Sequence, residues 1–462
     1  MSQVAEALGV PLQGNDVLMT GVSKDTRSIS NGDLYVALVG DRFDGHQFVK
    51  QATESGAVGV LVSNEQVTDV AQIEVADTRL ALGQLASYWR DKYSGKLIGI
   101  TGSNGKTSVK EMCKKILVDY AGLSAVLSTK GNLNNDIGMP LMLLELTEKH
   151  QYAVIEMGAN HLGEISYLTS LAKPDVAILN NVGPAHLEGF GSLDNIAHAK
   201  AEIYEGLDDN GVAIINLDDV YSPMWLKHCA EAQPKNRIVR FSMKNNDADV
   251  FAKHLSQDSY QIIYTLNGKT ECASLKLKVP GDHNVMNALA AISATLSVGV
   301  PLQSIVTSLS DFENIEGRLT IKKSENGYQV IDDTYNANPL SVSAAIDVLA
   351  QMQGETTDKT VLVLGDMAEL GKNAEKLHAE MGSKAKNAGI QALYATGKLS
   401  ANTVDAFGDN GFYYPTKNEL IKELRKSLTG NEIILVKGSR SAAMEEVVER
   451  ILTHDNNYKR VN

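Results

Sequence analysis

Cysteine is scarce: the chain holds three, Cys113, Cys229 and Cys272, far apart in 462 residues. An odd count at that spacing builds neither a disulfide framework nor a metal knuckle, and it fits a reducing cytoplasm. Positive charge is the minority, with 43 Lys and Arg against 56 Asp and Glu and a formal net charge of −13. That balance argues against broad binding of nucleic acid or anionic membrane, which needs a basic surface. Phosphate binding, if any, must be local, built from loop amides, a few cations and metal. No apolar run approaches the roughly 20 residues of a membrane span. Residues 1–6 lack the basic-then-apolar order of a signal peptide, so none is expected. There is no internal repeat and no low-complexity tract. What remains is an ordinary globular composition in a chain too long for one core, so two or three domains are expected.

The strongest positive signal lies near residue 100. Residues 97–100 read as a buried strand, and residues 108–113 as the first turns of a helix. Between them stand Thr101, Gly102, Ser103, Asn104, Gly105, Lys106 and Thr107. A strand, a glycine-rich loop, Lys, Thr and then a helix is the arrangement that cradles a nucleotide's phosphates on backbone N–H groups. Lys106 would reach the β/γ-phosphates, and the Thr107 hydroxyl would hold magnesium. The strict pattern wants a glycine five residues before Gly105, where this chain has Ile100. The first loop glycine is Gly102, so the loop is a shortened variant. The competing reading is a plain glycine-rich turn with a surface lysine.

Three regions separate by pattern. The first, to about residue 80, holds short strand-like runs at 34–38 and 58–62. A helix over 81–93 leads into the second, where apolar runs at 97–101, 125–128, 153–157, 176–180 and 212–216 alternate with helical stretches. Such alternation predicts a parallel sheet covered by helices, with ligands beyond the strands' C-terminal ends. The third begins near 314 and repeats the alternation at 330–331, 361–364, 392–395 and 433–436, with a solvated loop at 354–359. The predicted class is α/β in three domains: a small N-terminal domain (1–80), a central parallel-sheet domain carrying the phosphate loop (81–313) and a C-terminal Rossmann-like domain (314–462). Clefts between domains are common ligand sites.

Several side chains fall on the ligand side of this scheme. Glu156 ends a strand and can ligate magnesium, or be a solvated strand-end acid. His186 lies in a Gly/Pro loop after a buried strand, beside the metal or reacting phosphate or as a structural imidazole. Lys200 lies on a helix, and nothing in the residues alone prefers it to Lys173 or Lys227. Asn284 and Asn287 share a helix face and can read an adenine edge, while Asn284 can equally cap its helix. Asp332, Asp333, Thr334, Tyr335, Asn336 and Asn338 make a dense polar turn after a strand, and Arg318 sits in the join between the second and third regions.

Together these residues resemble the Mur ligases, ATP-dependent amide-forming enzymes of peptidoglycan precursor synthesis, over nearly the whole chain. The loop from Thr101 to Thr107 is similar to the family's ATP motif, residues 130–138 to its substrate-side loop, and Glu156 and His186 to its second-magnesium region. Segments 25–27, 32–38, 44–46, 333–339 and 364–371 are similar to the branch that adds a D-alanyl-D-alanine dipeptide. Several expectations follow from the resemblance. ATP would be bound by the loop with Ser108, Asn284, Asn287, Arg318, Asp333 and Tyr335. Two magnesium ions would be held by Thr107, Glu156, His186 and Lys200, the last as a carbamate formed with CO₂. Lys106, His186 and Lys200 would be catalytic. Thr26, Arg27, Asp44, Gly45, His46, Asn132 and Asn135 would face the uridine-nucleotide substrate, and Asn336, Asn338 and Arg440 the dipeptide. The implied reaction joins D-Ala-D-Ala to UDP-MurNAc-tripeptide through an acyl phosphate. It implies a cytoplasmic monomer with no nucleic-acid partner and no membrane insertion.

Two relatives within this resemblance compete. A ligase adding diaminopimelate or lysine usually carries Asp-Asn-Pro-Arg in its third domain, a tetrapeptide this chain lacks. Folylpolyglutamate synthase shares the loop but has no first domain of this size. A non-catalytic nucleotide-gated binding protein would be expected to lose Lys106, Glu156 or His186, and all three are present.

Overall fold

A computed structural model describes residues 1–40, 43–232, 235–256, 258–353 and 359–453. Of the loop expected at 354–359, residues 354–358 lie outside them, and Lys359 already opens the strand Lys359–Leu364. Three sheets succeed one another along the chain, each with helices packed on it.

The first sheet orders Leu12–Gln13, Ala71–Glu74, Gly59–Val62, Asp33–Val36 and Gly21–Ser23, parallel except for the Leu12–Gln13 edge. The helix expected from residue 81 runs Thr78–Arg90, because Asp77 caps it by accepting from the N–H groups of Arg79 and Leu80.

The central sheet has nine strands, with Lys96–Thr101 between Val176–Leu179 and Tyr152–Glu156. Its side chains alternate as a doubly covered strand requires: Leu97 enters the core on one face, Ile98 and Ile100 that on the other. The latter core contains the small-residue helix Asp282–Ser297, whose alanines let it lie close to the phosphate-loop helix Lys106–Ala121. Pattern reading missed three antiparallel strands, Val250–Ser256, Ser259–Leu266 and Lys269–Lys276, that extend this sheet. They are half exposed and carry polar residues, so they make no continuous apolar run.

The third sheet orders Thr320–Lys323, Gln329–Asp333, Glu432–Lys437, Lys359–Leu364, Ala392–Thr396 and Gly411–Tyr414, with only the first pair antiparallel. No described helix is long and apolar enough to cross a membrane.

Candidate active site between the central and third domains

A cleft of about 1710 Å³ opens where the C-terminal ends of the central strands face the third domain. Strand Lys96–Thr101 leads into it. Thr101 is buried and donates its hydroxyl to the Met157 carbonyl (2.9 Å), fixing the strand end rather than lining the cleft. Lys106 is the first residue of the helix, and Gly105 stands before it with φ 78°. A Cβ on Gly105 would lie 2.3 Å from Asn287 Oδ1 and 2.5 Å from Asn180 Nδ2. Glycine is therefore required by conformation and by space. Gly105→Ala is expected to lower kcat/KM for ATP at least about tenfold, the equivalent of roughly 1–2 kcal/mol of left-handed strain. Steady-state phosphate release would read the change.

Carboxamides hold the loop tip. The Asn104 N–H donates to Asn181 Oδ1 (2.9 Å), and its carbonyl accepts from Asn180 Nδ2 (2.9 Å) and Asn181 Nδ2 (3.1 Å). Asn180 Nδ2 also reaches Asn287 Oδ1 (2.8 Å). Asn284 is not the helix cap, a position held by Gly281; its Nδ2 donates to the Pro280 carbonyl (2.7 Å). Both helix asparagines line the cleft, as do Ser103, Ser108 and Thr107.

Glu156 is 1% exposed at the end of its strand, and its Oε1 has no hydrogen-bond partner. Thr107 Oγ1 lies 3.3 Å from Glu156 Oε2. Lys110, one helical turn beyond Lys106, places Nζ 3.8 Å from Oε1. Sequence reasoning passed over Lys110; the only signal was its i+4 spacing from Lys106.

Three basic side chains converge here. Lys106 donates to the Gly102 carbonyl (2.7 Å); burial lowers its pKa, against the pull of Glu156. Lys200, 2% exposed, is pushed well below its ordinary value by burial and then by the charge of Lys106. Among the described residues it has no hydrogen-bonded or salt-bridged partner; the Phe190 ring lies 5.8 Å away. Lys173 and Lys227, its rivals on sequence, are exposed and paired with Asp91 and Glu231. His186 adopts φ 55°, and its Nδ1 lies against Glu369 Oε2 of the third domain. Burial lowers its pKa, and Lys106 and Lys200 lower it further, against the pull of Glu369. Glu369 sat in a motif with no role assigned from sequence.

The facing wall belongs to the third domain and the join. Arg318 donates to Thr107 Oγ1 (3.0 Å) and stacks 4.4 Å over the Tyr335 ring. Asp333 pairs with buried Lys437 (2.6 Å). Asn336 Oδ1 accepts from the Arg440 N–H (3.3 Å), and the Arg440 guanidinium meets Glu445 (3.0 Å). Asn338, expected on the dipeptide, bonds instead to Asn104. Asn132 and Asn135 line the same cleft.

The first-domain candidates lie outside its lining. Arg27 is exposed and folded back on Asp25 (2.6 Å). His46 is buried, with Nδ1 on Asp44 (2.6 Å) and Nε2 accepting from the Ser63 N–H (2.9 Å). Gly45 passes so close to Leu38 that a Cβ would lie 2.8 Å from its backbone. These contacts give Asp44, Gly45 and His46 a structural task. Thr26 sits in the turn between Asp25 and Arg27.

This geometry has known counterparts. The Mur ligase middle domain matches residues 100–295, the Mur ligase glutamate ligase domain 317–440, and the Mur ligase family catalytic domain 18–90. The UDP-N-acetylmuramoyl-tripeptide–D-alanyl-D-alanine ligase of Escherichia coli (strain K12) is 43% identical over 98% of both chains. The ligase of the same name from Bacillus subtilis (strain 168) is 36% identical over 95% of this chain and 94% of its own. A crystal structure of MurF from Acinetobacter baumannii superposes with TM-score 0.88 at 36% identity, covering 98% of both chains. MurF ligase from Thermotoga maritima, solved in complex with ADP, gives TM-score 0.79 at 26% identity over 95% of this chain and 98% of its own. With three family domains in order and full-length relatives on both measures, the chain belongs to the Mur ligase family.

Proposed function

We infer that this protein is the ATP-dependent ligase that joins D-alanyl-D-alanine to UDP-N-acetylmuramoyl-tripeptide, giving the UDP-pentapeptide, ADP and phosphate. The observation that carries the reading is the cleft, where the phosphate loop and its cations face a polar turn on the third domain. Relatives named for this reaction and matched end to end select the acceptor.

In the reaction, the tripeptide carboxylate attacks the γ-phosphate, the bond to the β-phosphate oxygen breaks, and an acyl phosphate and ADP form. The dipeptide amine then attacks the acyl carbon, and phosphate leaves. Lys106 offsets the repulsion between two anions that must meet and stabilises charge on the transferring group, with His186 and Lys200 as the other catalytic side chains beside it. Arg318, Tyr335 and Asp333 would face the nucleotide, with Asn284 and Asn287 beneath it. Asn132 and Asn135 would face the tripeptide arm, and Thr26, Arg27 and the 44–46 turn its uridine end. Asn336 and Arg440 would face the dipeptide.

The residues fit magnesium: Glu156 offers a buried oxygen without a hydrogen-bond partner, beside the Thr107 hydroxyl. A second ion would draw on His186 and Lys200. Bound magnesium would neutralise phosphate charge and orient the leaving group. Lys200 fits carbamylation because its amine is buried and, among the described residues, has no carboxylate bonded to it. Amine and CO₂ give an N–COO⁻ group and a released proton, turning a buried amine into an anionic oxygen donor.

The reading extends to three working units, 1–80 holding the uridine nucleotide, 81–313 the ATP, and 314–462 closing over the ATP and binding the incoming dipeptide. It extends also to a cytoplasmic monomer. The test is phosphate release with UDP-MurNAc-tripeptide and D-Ala-D-Ala each present or absent, and product mass recorded. Release that needs both, with the pentapeptide mass, is expected. Release indifferent to D-Ala-D-Ala moves the acceptor to another amine.

A further inference from the structure

The helix Pro339–Gln353 begins one residue after Asn338, at the end of the polar turn. Asn338 Oδ1 accepts from the Ser341 N–H (2.9 Å), and the Asn338 N–H donates to Ser341 Oγ (3.0 Å). This is a reciprocal cap, with Pro339 in the first helical position. An aspartate or serine could cap equally well. The cap uses one side of the carboxamide and fixes which way it points, because the atom facing Ser341 N–H must be oxygen. Its NH₂ is thereby turned to the central domain, where Nδ2 donates to Asn104 Oδ1 (2.8 Å) and Oδ1 accepts from Asn104 Nδ2 (3.2 Å). Asn104 is prepared for this: its backbone is tied down by Asn180 and Asn181, and its side chain is left to face the third domain. The two residues are 234 positions apart; Asn338 is buried and Asn104 half-buried.

We propose that Asn338 is a positioning residue that clasps the phosphate loop to the third domain. The cap sets its orientation, and its amide couples nucleotide binding to the turn that receives the dipeptide. The path is short. Asn338 follows Asn336, which accepts from the Arg440 N–H, while Lys437 donates to the Asn336 carbonyl (2.8 Å). A cap alone explains an oxygen at this position; it does not explain an NH₂ held against the loop tip. The dipeptide half of the proposal rests on the function inferred above, and the nucleotide half does not.

The test uses Asn338→Ser, which keeps a capping oxygen and removes the reach to Asn104, together with Asn104→Ala and the double variant. Thermal melting of Asn338→Ser should stay near that of the unaltered protein. ADP affinity, measured by calorimetry without either other substrate, should fall about tenfold in each single variant, the scale of a lost pair of buried hydrogen bonds. The double variant should be no worse than either single. KM for D-Ala-D-Ala should rise in the same pattern, with kcat changed less. Independent losses that multiply in the double variant would overturn the clasp, as would ADP affinity unchanged in Asn338→Ser. If ADP affinity follows the pattern but D-Ala-D-Ala is not turned over by the unaltered protein, the inferred acceptor is wrong and the clasp stands.

Discussion

Lys106→Ala is expected to reduce phosphate release by at least about 10²–10³-fold, the usual loss when a preorganised charge contact to the reacting group is removed. The fold should survive. Lys106 is half-buried at the first turn of its helix and donates to one loop carbonyl, Gly102. Its charge is opposed by Arg318 and in turn lowers the pKa of Lys200. Removing it relieves that repulsion, so melting temperature should change little or rise. The same repulsion is what a bound polyphosphate relieves, so the activity loss belongs to binding and transition-state stabilisation. Phosphate release and thermal melting on the same preparation decide the matter. A variant of near-normal rate would show that the loop does not hold the reacting phosphate.

Lys200→Met is expected to lose a comparable or larger factor, about 10²–10³-fold, for a different reason. Lys200 is absent from the cleft's lining and 2% exposed, so its own amine is poorly placed to touch substrate. Carbamylation would extend it by one carboxylate and give it a negative charge. The chemistry requires a neutral amine, and burial supplies one by lowering the pKa well below 10.5. The sign for stability follows. Between the lowered folded value and 10.5 the unfolded chain holds the extra proton, so stability rises with pH across that window, and the buried amine is a net burden at its lower end. Lys200→Met removes the burden and should melt no lower than the parent. Depleting bicarbonate should depress the parent's activity, more steeply as pH falls and the amine protonates, and resupply should restore it. A carbamate carbon resonance with ¹³C-bicarbonate is the direct readout. Full activity without bicarbonate and without that resonance would remove Lys200 from the chemistry.

What was legible in the chain was mostly local. The strand, loop and helix around Gly105 announce themselves because backbone geometry, glycine placement and the Lys-Thr pair fall within a dozen residues. The Asp77 cap was equally local yet was passed over, which set the helix start three residues late. Lys200 could not be told from Lys173 or Lys227 by pattern, since burial distinguishes them and burial is tertiary; the resemblance made the choice. Lys110 beside Glu156 and Glu369 against His186 depend on contacts between distant elements. The Asn104–Asn338 pair spans two domains, and neither residue carries a mark of the other. For Asp44, Gly45 and His46, the conspicuous motif turned out to have structural partners of its own.

The loop tip is held in place by carboxamides, with no ionised side chain among the groups that fix the Asn104 backbone. Dipolar hydrogen bonds of this kind are nearly indifferent to ionic strength, whereas attraction between the cations and a polyphosphate is screened by it. Raising salt should therefore slow and weaken nucleotide capture while leaving the cradle's shape intact. Capture and cradle can be tuned separately, one by the medium and the other by the fold.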